Sequence, residues 1–338
     1  MKFYYYLIYV ISFTCFSQKT NYLDYHVSIN KAEELFFMEE KADSSLFYYE
    51  KAFREFDFIF VKDLINASQI AIFSNKPYQK YIERGFNYGL KLSHLEHYPL
   101  FEKEMLQFKS NKKLLKKYEI ARKKYLSKID FEYLDWVYKT AIRDQKEKRK
   151  PYSEYGSLVH ITTDQIFEKT IEKGFPGDKV LGLADSLIFK EVNKPWLDLY
   201  EQRKNHKELF YMTSDDKSNS SIQYPIVMLV HNGCSFYLYE KLLLDELKKG
   251  NIHPREVGLL YDNQYRYLNY LPKYCENIVL KGVYKLNLYT EYEDGINLEE
   301  TNLMRKELYI VSTYVDDKKK EYESKHGFKM FSGFWNCR

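Results

Sequence analysis

A histidine at the end of an apolar run is the first residue of this sequence that could do chemistry. His231 directly follows residues 224–230, YPIVMLV. An imidazole titrates near neutral pH and a carboxylate can orient it, so a histidine beside an aspartate can act as a general base. The candidate partners are Asp144, Asp164 and Asp262, and catalysis requires one of them within hydrogen-bond reach. The alternative is a core histidine whose nitrogens are simply satisfied.

A second polar set lies within the segment AIRDQKEKR. Gln145 and Arg149 are four residues apart and would share one face of a helix, whereas Asp144 turns toward Lys148. The set predicts a binding face for a ligand. A polar clamp between two helices explains it equally well.

The four cysteines give little further chemistry. Cys234 lies three residues after His231, but a cysteine nucleophile needs a facing base and an orienting third group. Its alternative is a small buried side chain. Cys15, Cys275 and Cys337 complete the set, with no CxxC pair and no histidine at ligand spacing, which argues against a zinc site or a disulfide framework. We therefore expect no metal and no cofactor.

The N-terminal half has the periodicity of paired helices. Apolar residues between positions 25 and 56 recur at helical spacing, with a break at EEKAD. The positions that would pack the first pair are Ile29, Ala32, Phe36, Ser45, Tyr49 and Ala52. The positions that would pack a second pair, after a turn at residues 75–77, are Asn66, Ala67, Ala71, Tyr81, Gly85 and Tyr88. The pattern resembles a tetratricopeptide repeat, except that Glu33 stands where a small residue is usual. An ordinary helical bundle is the alternative.

A strongly basic segment follows these pairs. Residues 109–128 hold nine basic residues and one acid. The spacing predicts one continuous helix over 109–129, with an apolar stripe formed by Leu114, Tyr118, Ala121, Tyr125 and Ile129. A basic patch for nucleic acid or for an anionic membrane surface is possible, but a solvated helix face is the interpretation that we favour.

The C-terminal half predicts further helices over residues 131–150 and 162–174. Thr162 and Gln165 fit a capping box, and Gly174 a helix stop. Two later helices are expected, one ended by Gly250 and one opened by Pro254. Residues 201–223 predict a surface loop, residues 278–292 a small β element, and the aromatic tail is expected to fold back. The side chains expected to face inward are Leu134, Val137, Tyr138, Ala141, Ile142, Ile166, Phe167, Thr170 and Ile171.

Residues 134–310 resemble an uncharacterised bacterial family, known as a domain of unknown function that often follows tetratricopeptide-like helices. The matching blocks, in order, are AIRDQKEKR, GFPGDKVLG, LVHNG with His231, and KKGNIHPREVGLLYD ending at Asp262. Gly233 stands where the family tends to carry an acid, and Asn263 where it tends to carry arginine. The Tyr-Gly-Thr-Gln element has no clear counterpart. These departures argue against catalysis.

The first residues predict export. Lys2 precedes a run from Phe3 to Phe16 without charge, which is shorter than the roughly 20 residues that a bilayer span needs. We expect a signal peptide over residues 1–17, cleaved after Ser17, and an exported protein, periplasmic or secreted. The net charge of +4 argues against a polyanion partner for the whole chain.

The sequence thus predicts a mainly α protein with a signal peptide (1–17), a tetratricopeptide-like region (18–130) and a helical domain (131–338). No complete catalytic set is visible. The favoured function is a binding or scaffold module for a peptide or protein partner, without nucleic acid and without a transmembrane span in the mature chain. The alternative is an envelope hydrolase that uses His231 with nearby acids.

Overall fold

The computed structural model describes residues 21–148, 150–183, 188–195, 223–266 and 297–331. Within these ranges the chain forms helices and no strand, which confirms the mainly α prediction. The predicted signal peptide, residues 201–222 of the predicted loop and the β element at 278–292 lie outside these ranges. The last residue of the predicted loop, Gln223, is the first residue of a helix. The helices are α1 (Tyr22–Phe37), α2 (Ala42–Glu55), α3 (Val61–Phe73), α4 (Gln79–Phe86), α5 (Leu92–Leu95), α6 (Glu102–Ser110), α7 (Lys112–Leu126), α8 (Phe131–Glu147), α9 (Tyr152–Lys173), α10 (Ile188–Glu191), α11 (Gln223–Val230), α12 (Ser235–Lys249), α13 (Pro254–Arg266), α14 (Leu298–Glu307) and α15 (Thr313–His326).

The first two helices form the pair that the periodicity predicts. The side chain of Asn21 accepts a hydrogen bond from Leu23 N and so caps the start of α1. Residues 38–41 then reverse the chain, and α2 packs along α1. The small side chains at the contact allow the two helices to approach closely. All six predicted packing positions are buried: Ile29, Ala32, Phe36, Ser45, Tyr49 and Ala52.

The second pair, α3 and α4, is shorter than expected. Asn66, Ala67, Ala71, Tyr81 and Gly85 are buried as predicted. Tyr88, however, lies beyond the last helical residue, so its assignment to α4 is wrong. The helix ends because the amide of Leu90 donates a hydrogen bond to the Gly85 carbonyl. Gly89 permits this turn, since it adopts a positive φ of 98°.

The basic segment is two helices, so the prediction of one helix over 109–129 is wrong. Asn111 separates α6 from α7 with an extended backbone, and its side chain accepts from Leu114 N at 3.0 Å. An asparagine favours such a cap because its short side chain replaces the missing helical acceptor. The apolar stripe of α7 still faces the core through Leu114 and Tyr125.

Helix α8 buries every side chain predicted to face inward between positions 134 and 142. The next helix differs from its prediction because α9 begins right after Pro151, ten residues before Thr162. Thr162 is therefore in the middle of a helix, where it accepts from Arg143 at 3.3 Å. Ile171 is 74% exposed, so its inward assignment is wrong. Gly174, with a φ of 88°, ends α9 as predicted.

The C-terminal helices return to the N-terminal ones. Gly250 ends α12 and Pro254 opens α13, both as predicted. One hydrophobic core cluster combines residues of α1–α4 with Val315 of α15 and with Phe328 and Met330 after it. The start of the aromatic tail therefore packs on helices α1–α4. Phe334 and Trp335 lie outside the described residues. Among the described helices, none has the length and apolar character needed to cross a membrane.

Candidate functional site

Three segments of the chain meet around His231. The C-terminal end of α8 carries Asp144 and Gln145, and the first turns of α9 carry Tyr155. His231 lies in the turn between α11 and α12. The hairpin of α8 and α9, joined by residues 148–151, brings Asp144 and Tyr155 together. The α11–α12 turn then covers them from a distant part of the chain.

Asp144 is the centre of the hydrogen-bond network. Its Oδ2 lies 3.0 Å from His231 Nδ1 and accepts from Gln145 Nε2 at 2.8 Å. Its Oδ1 accepts from the Tyr155 hydroxyl at 3.1 Å. The Asp144 side chain is 1% exposed and that of His231 is 13% exposed. A carboxylate this deeply buried is stable only when its oxygens accept several hydrogen bonds, which these three residues supply.

The partners of His231 select one tautomer. A proton on Nδ1 donates to Asp144, while the Tyr155 hydroxyl donates to the same carboxylate. The lone pair on Nε2 then accepts from Lys148 Nζ, 3.2 Å away. The other tautomer would direct an Nε2–H at the lysine ammonium and a lone pair at the carboxylate. The basic nitrogen of His231 therefore points away from Asp144, toward an exposed lysine.

Tyr155 acts in this network as a hydrogen-bond donor and not as a second general base. Its hydroxyl lies 2.9 Å from His231 Nδ1. Burial of the ring, together with the negative charge of Asp144 and the hydrogen bond to it, raises the pKa of Tyr155 well above its ordinary value. Tyr155 is therefore a neutral donor that fixes the Asp144 carboxylate.

The turn that carries His231 is anchored on both sides. Asn263 of α13 donates to the carbonyl of Val230 at 2.7 Å, and Asn232 donates to Thr163 of α9 at 3.1 Å. The Oδ1 of Asn232 in turn accepts from Cys234 N at 3.0 Å. Hydrogen bonds on either side of residue 231 thus fix the direction of its side chain.

The sequence candidates have different outcomes. Asp144, Gln145 and His231 come together. The sequence had named Asp144 as one of three candidate partners of His231, and had also placed Asp144 and Gln145 in a separate binding face. Asp164 is exposed on α9 and accepts from Tyr239. Asp262 is buried on α13, next to the Asn263 that anchors the turn. Arg149 lies outside the described residues.

Sequence reasoning missed Tyr155 and Lys148. The sequence placed Lys148 on a predicted helix, as the residue toward which Asp144 turns, but not in the site. It left Tyr155 in the break between the helices predicted over 131–150 and 162–174. Pro151 was the available signal, since proline favours the first turn of a helix and would have started α9 ten residues earlier. With that start, Tyr155 lies one turn into α9, opposite the end of α8.

Cys234 has a role that the cysteine spacing did not predict. It is buried, as expected, but it is joined in a disulfide. The cysteine spacing argued against a disulfide framework and did not predict this single disulfide. The remaining cysteines lie outside the described residues. The disulfide sits three residues after His231, at the first turn of α12, and also removes Cys234 as a thiolate nucleophile.

A separate groove runs between α1 and α14, with a volume of about 1120 Å³. Its α1 wall carries Val27, Lys31 and Glu34, and its α14 wall includes Leu303. Val27 is 54% and Leu303 is 62% exposed. Tyr314, at the start of α15, is 53% exposed at its edge. The groove is amphipathic, with charges of both signs.

Within the described ranges, no group of three or more His, Cys, Asp or Glu side chains is arranged to hold a metal ion. Comparison of the chain with protein-family models, curated proteins and solved structures finds no match. Function must therefore be inferred from the geometry of the site itself.

Proposed function

We propose that the chain is an exported enzyme that hydrolyses esters, with His231 as the general base and Asp144 as the residue that orients it. The observation that carries this proposal is the 3.0 Å contact between His231 Nδ1 and the buried Asp144 carboxylate. Such a carboxylate holds the imidazole in one orientation and stabilises the imidazolium that forms during proton transfer. No protein nucleophile is needed, because water can attack directly.

The chemistry follows from the direction of Nε2. As a water oxygen forms a bond to the acyl carbon or the phosphorus of the substrate, Nε2 takes the water proton. The bond to the leaving oxygen breaks, and the imidazolium returns the proton to that oxygen. Lys148, 3.2 Å from Nε2, supplies positive charge where negative charge develops on the substrate.

The resemblance of residues 134–310 to a bacterial domain of unknown function supports the location of this site. Asp144 and Gln145 come from one family-like block and His231 from another. A third block ends at Asp262, and the next residue, Asn263, departs from the family but anchors the turn that carries His231. We propose that residues 131–338 are a member of that family, carried behind tetratricopeptide-like helices over 18–130.

Two observations support export. The run from Phe3 to Phe16 has the length and composition of the apolar part of a signal peptide. The disulfide at Cys234 is typical of proteins that fold in an oxidising compartment. We therefore propose that the mature chain starts at about residue 18 and works in the cell envelope or outside the cell.

The test of the enzyme proposal is hydrolysis of p-nitrophenyl acetate and p-nitrophenyl phosphate by the purified protein. His231→Gln and Asp144→Asn should each lower the rate on the order of 100-fold, since a positioned general base contributes roughly 10²–10⁴-fold. Tyr155→Phe keeps the ring but removes the hydrogen bond to Asp144. It should lower kcat more than it changes KM.

The matched control is His160→Gln, because His160 is exposed on the same helix as Tyr155. This variant should keep the wild-type rate. If the wild-type protein hydrolyses neither probe, or if His231→Gln keeps the full rate, the chain is not an esterase of this kind.

The α1–α14 groove supports a second candidate function, the binding of a peptide or protein segment. Its exposed apolar side chains lie between charged residues, an arrangement that suits an amphipathic segment. Peptides selected by display against the wild-type protein should lose binding to Val27→Asp and Leu303→Asp. They should keep binding to Ile171→Asp, which changes an equally exposed apolar residue on α9. Equal loss in all three variants would exclude the groove.

A further inference from the structure

The outer face of α7 carries a stripe of positive charge, in which Glu119 is the one acid. Lys113, Lys116 and Lys123 are exposed and step by three and seven residues, so they lie along one side of the helix. Lys124 flanks the same side. These four lysines make no ion pair within the part of the chain that the structure describes. The opposite side of α7 packs on the core through Leu114 and Tyr125.

Several lysines elsewhere in the described chain are paired. On α15, Lys318, Lys320 and Lys325 each lie within 3.3 Å of an acid three or four residues away. On the N-terminal helices, Lys31 and Lys76 have acidic partners too. Lys103, Lys241 and Lys306 are also exposed and without an ion pair among the described residues. The α7 face differs in the number of lysines that lie close together, which concentrates positive potential there.

An apolar residue stands in the middle of the stripe. Ile120 is 62% exposed and lies between Lys116 and Lys123 on the same side of α7. An aliphatic side chain surrounded by lysines is the composition of a surface that contacts both the headgroups and the upper acyl chains of a bilayer.

A cavity of about 770 Å³ adjoins the stripe. Lys123 and Lys194 lie on its polar side, together with Glu119 and with Glu191, which pairs with Arg122. Leu126, Ile129 and Phe131 supply apolar walls. The Lys194 ammonium lies 5.4 Å from the centre of the Phe131 ring. Cationic groups beside an apolar cleft match the two ends of a phospholipid.

From these contacts we infer that the outer face of α7, with this cavity, docks the protein on a membrane surface rich in anionic phospholipid. Positive charge brings the face to the bilayer, Ile120 enters the interface, and the cavity takes part of one lipid. The docking is peripheral and reversible, and it does not depend on the His231 site, so loss of either activity leaves the other intact.

The test is co-sedimentation of the purified protein with vesicles. Vesicles of phosphatidylcholine mixed with phosphatidylglycerol should bind the wild-type protein, and vesicles of phosphatidylcholine alone should not. Binding should weaken as salt is added, since exposed charges are screened. The triple variant Lys113→Gln, Lys116→Gln, Lys124→Gln should bind on the order of 100-fold more weakly, from about fivefold per lysine.

The matched control is Lys318→Gln, Lys320→Gln, Lys325→Gln, which removes the same charge from α15. It should bind as the wild type does, and circular dichroism should show both triple variants folded. Ile120→Ser should weaken binding several-fold without changing its salt dependence. Equal binding to both kinds of vesicle, no binding to either, or binding of a labelled single-stranded oligonucleotide in place of vesicles would overturn the inference. So would a triple α7 variant that binds like the wild type.

Discussion

Glu33 of α1 and Lys319 of α15 are 286 positions apart in the sequence and form an ion pair in which neither side chain is exposed. Glu33 is the residue that departs from the tetratricopeptide pattern, which has a small side chain there. The departure has a tertiary explanation, because the last described helix supplies the partner of that carboxylate. The first and last helices are thereby joined through a contact that tolerates few substitutions.

Removal of one partner of this pair should be costly. Lys319→Met leaves the Glu33 carboxylate buried without its cation, and we expect the free energy of unfolding to fall by about 3–5 kcal/mol. Glu33→Leu with Lys319→Met replaces both charges by apolar groups and should recover most of the loss. Urea unfolding followed by circular dichroism measures both. Lys318→Met, on the exposed side of α15, should change the free energy by less than about 1 kcal/mol. A double variant no more stable than Lys319→Met would contradict the argument.

Asp316 should make stability depend on pH in strongly acidic solution. Burial by itself raises the pKa of this carboxyl, but the charges of Arg255, Arg305 and Lys319 outweigh it and lower the pKa to about 2. Because the folded pKa lies below the unfolded value, the stabilisation is complete above about pH 4 and is lost as pH falls toward 2. The difference in unfolding free energy between wild type and Asp316→Asn should narrow by roughly 2 kcal/mol across this window. A difference that stays constant from pH 4 to pH 2 would show that these charges do not act on Asp316.

Asp178 should have the opposite effect in a higher window. Burial raises the pKa of Asp178 to about 7, helped by Glu256 and opposed by Lys62. The folded state therefore keeps a proton that the unfolded chain loses near pH 4, and stability should fall as pH rises from about 4 to about 7. Asp178→Asn cannot ionise. It should match the wild type near pH 4 and exceed it by up to about 4 kcal/mol near neutral pH.

Chemical denaturation at a series of pH values between 4 and 8 measures this effect. Asp245→Asn is the control, since Asp245 is exposed on α12. Its difference from the wild type should stay flat across the same range. If Asp178→Asn gains no stability as pH rises, the carboxyl at position 178 is already ionised in the folded protein.

Two glycines that end helices should differ in their tolerance of alanine. Gly250 and Gly327 both have a φ of 75°. A Cβ on Gly250 would lie 2.5 Å from the buried Tyr22 ring, whereas on Gly327 its nearest neighbour is Pro99 at 3.6 Å. Gly327→Ala should therefore lower the free energy of unfolding by about 1–2 kcal/mol, which is the cost of a left-handed backbone conformation for a residue with a Cβ. Gly250→Ala should lower the free energy of unfolding by about 1–3 kcal/mol more, because its Cβ overpacks the core at Tyr22. Thermal unfolding of the two variants gives the comparison, and equal losses would mean that Tyr22 moves aside.

Local sequence signals were sufficient for much of the fold. The stops at Gly174 and Gly250 and the start at Pro254 hold because each depends on the backbone chemistry of one residue. The inward faces of α1, α2 and α8 hold because helical periodicity is itself local. Two helix boundaries were predicted wrongly. The cap at Asn111 divides a segment whose apolar periodicity predicted one helix, and Pro151 starts α9 ten residues before the start predicted at Thr162.

The sequence by itself determined that His231, Asp144 and Gln145 had the chemistry for a site, and that Asp144 and Gln145 lie on one helix. It could not determine that Asp144 would meet His231, which is 87 positions away, or that Tyr155 and Lys148 would join them. The sequence also could not show that Lys319 of α15 is the ion-pair partner of Glu33. Such contacts depend on the angles and distances at which helices pack, and those follow from the sum of many side-chain contacts across the core. Only the tertiary structure therefore decided which of the polar candidates form one site.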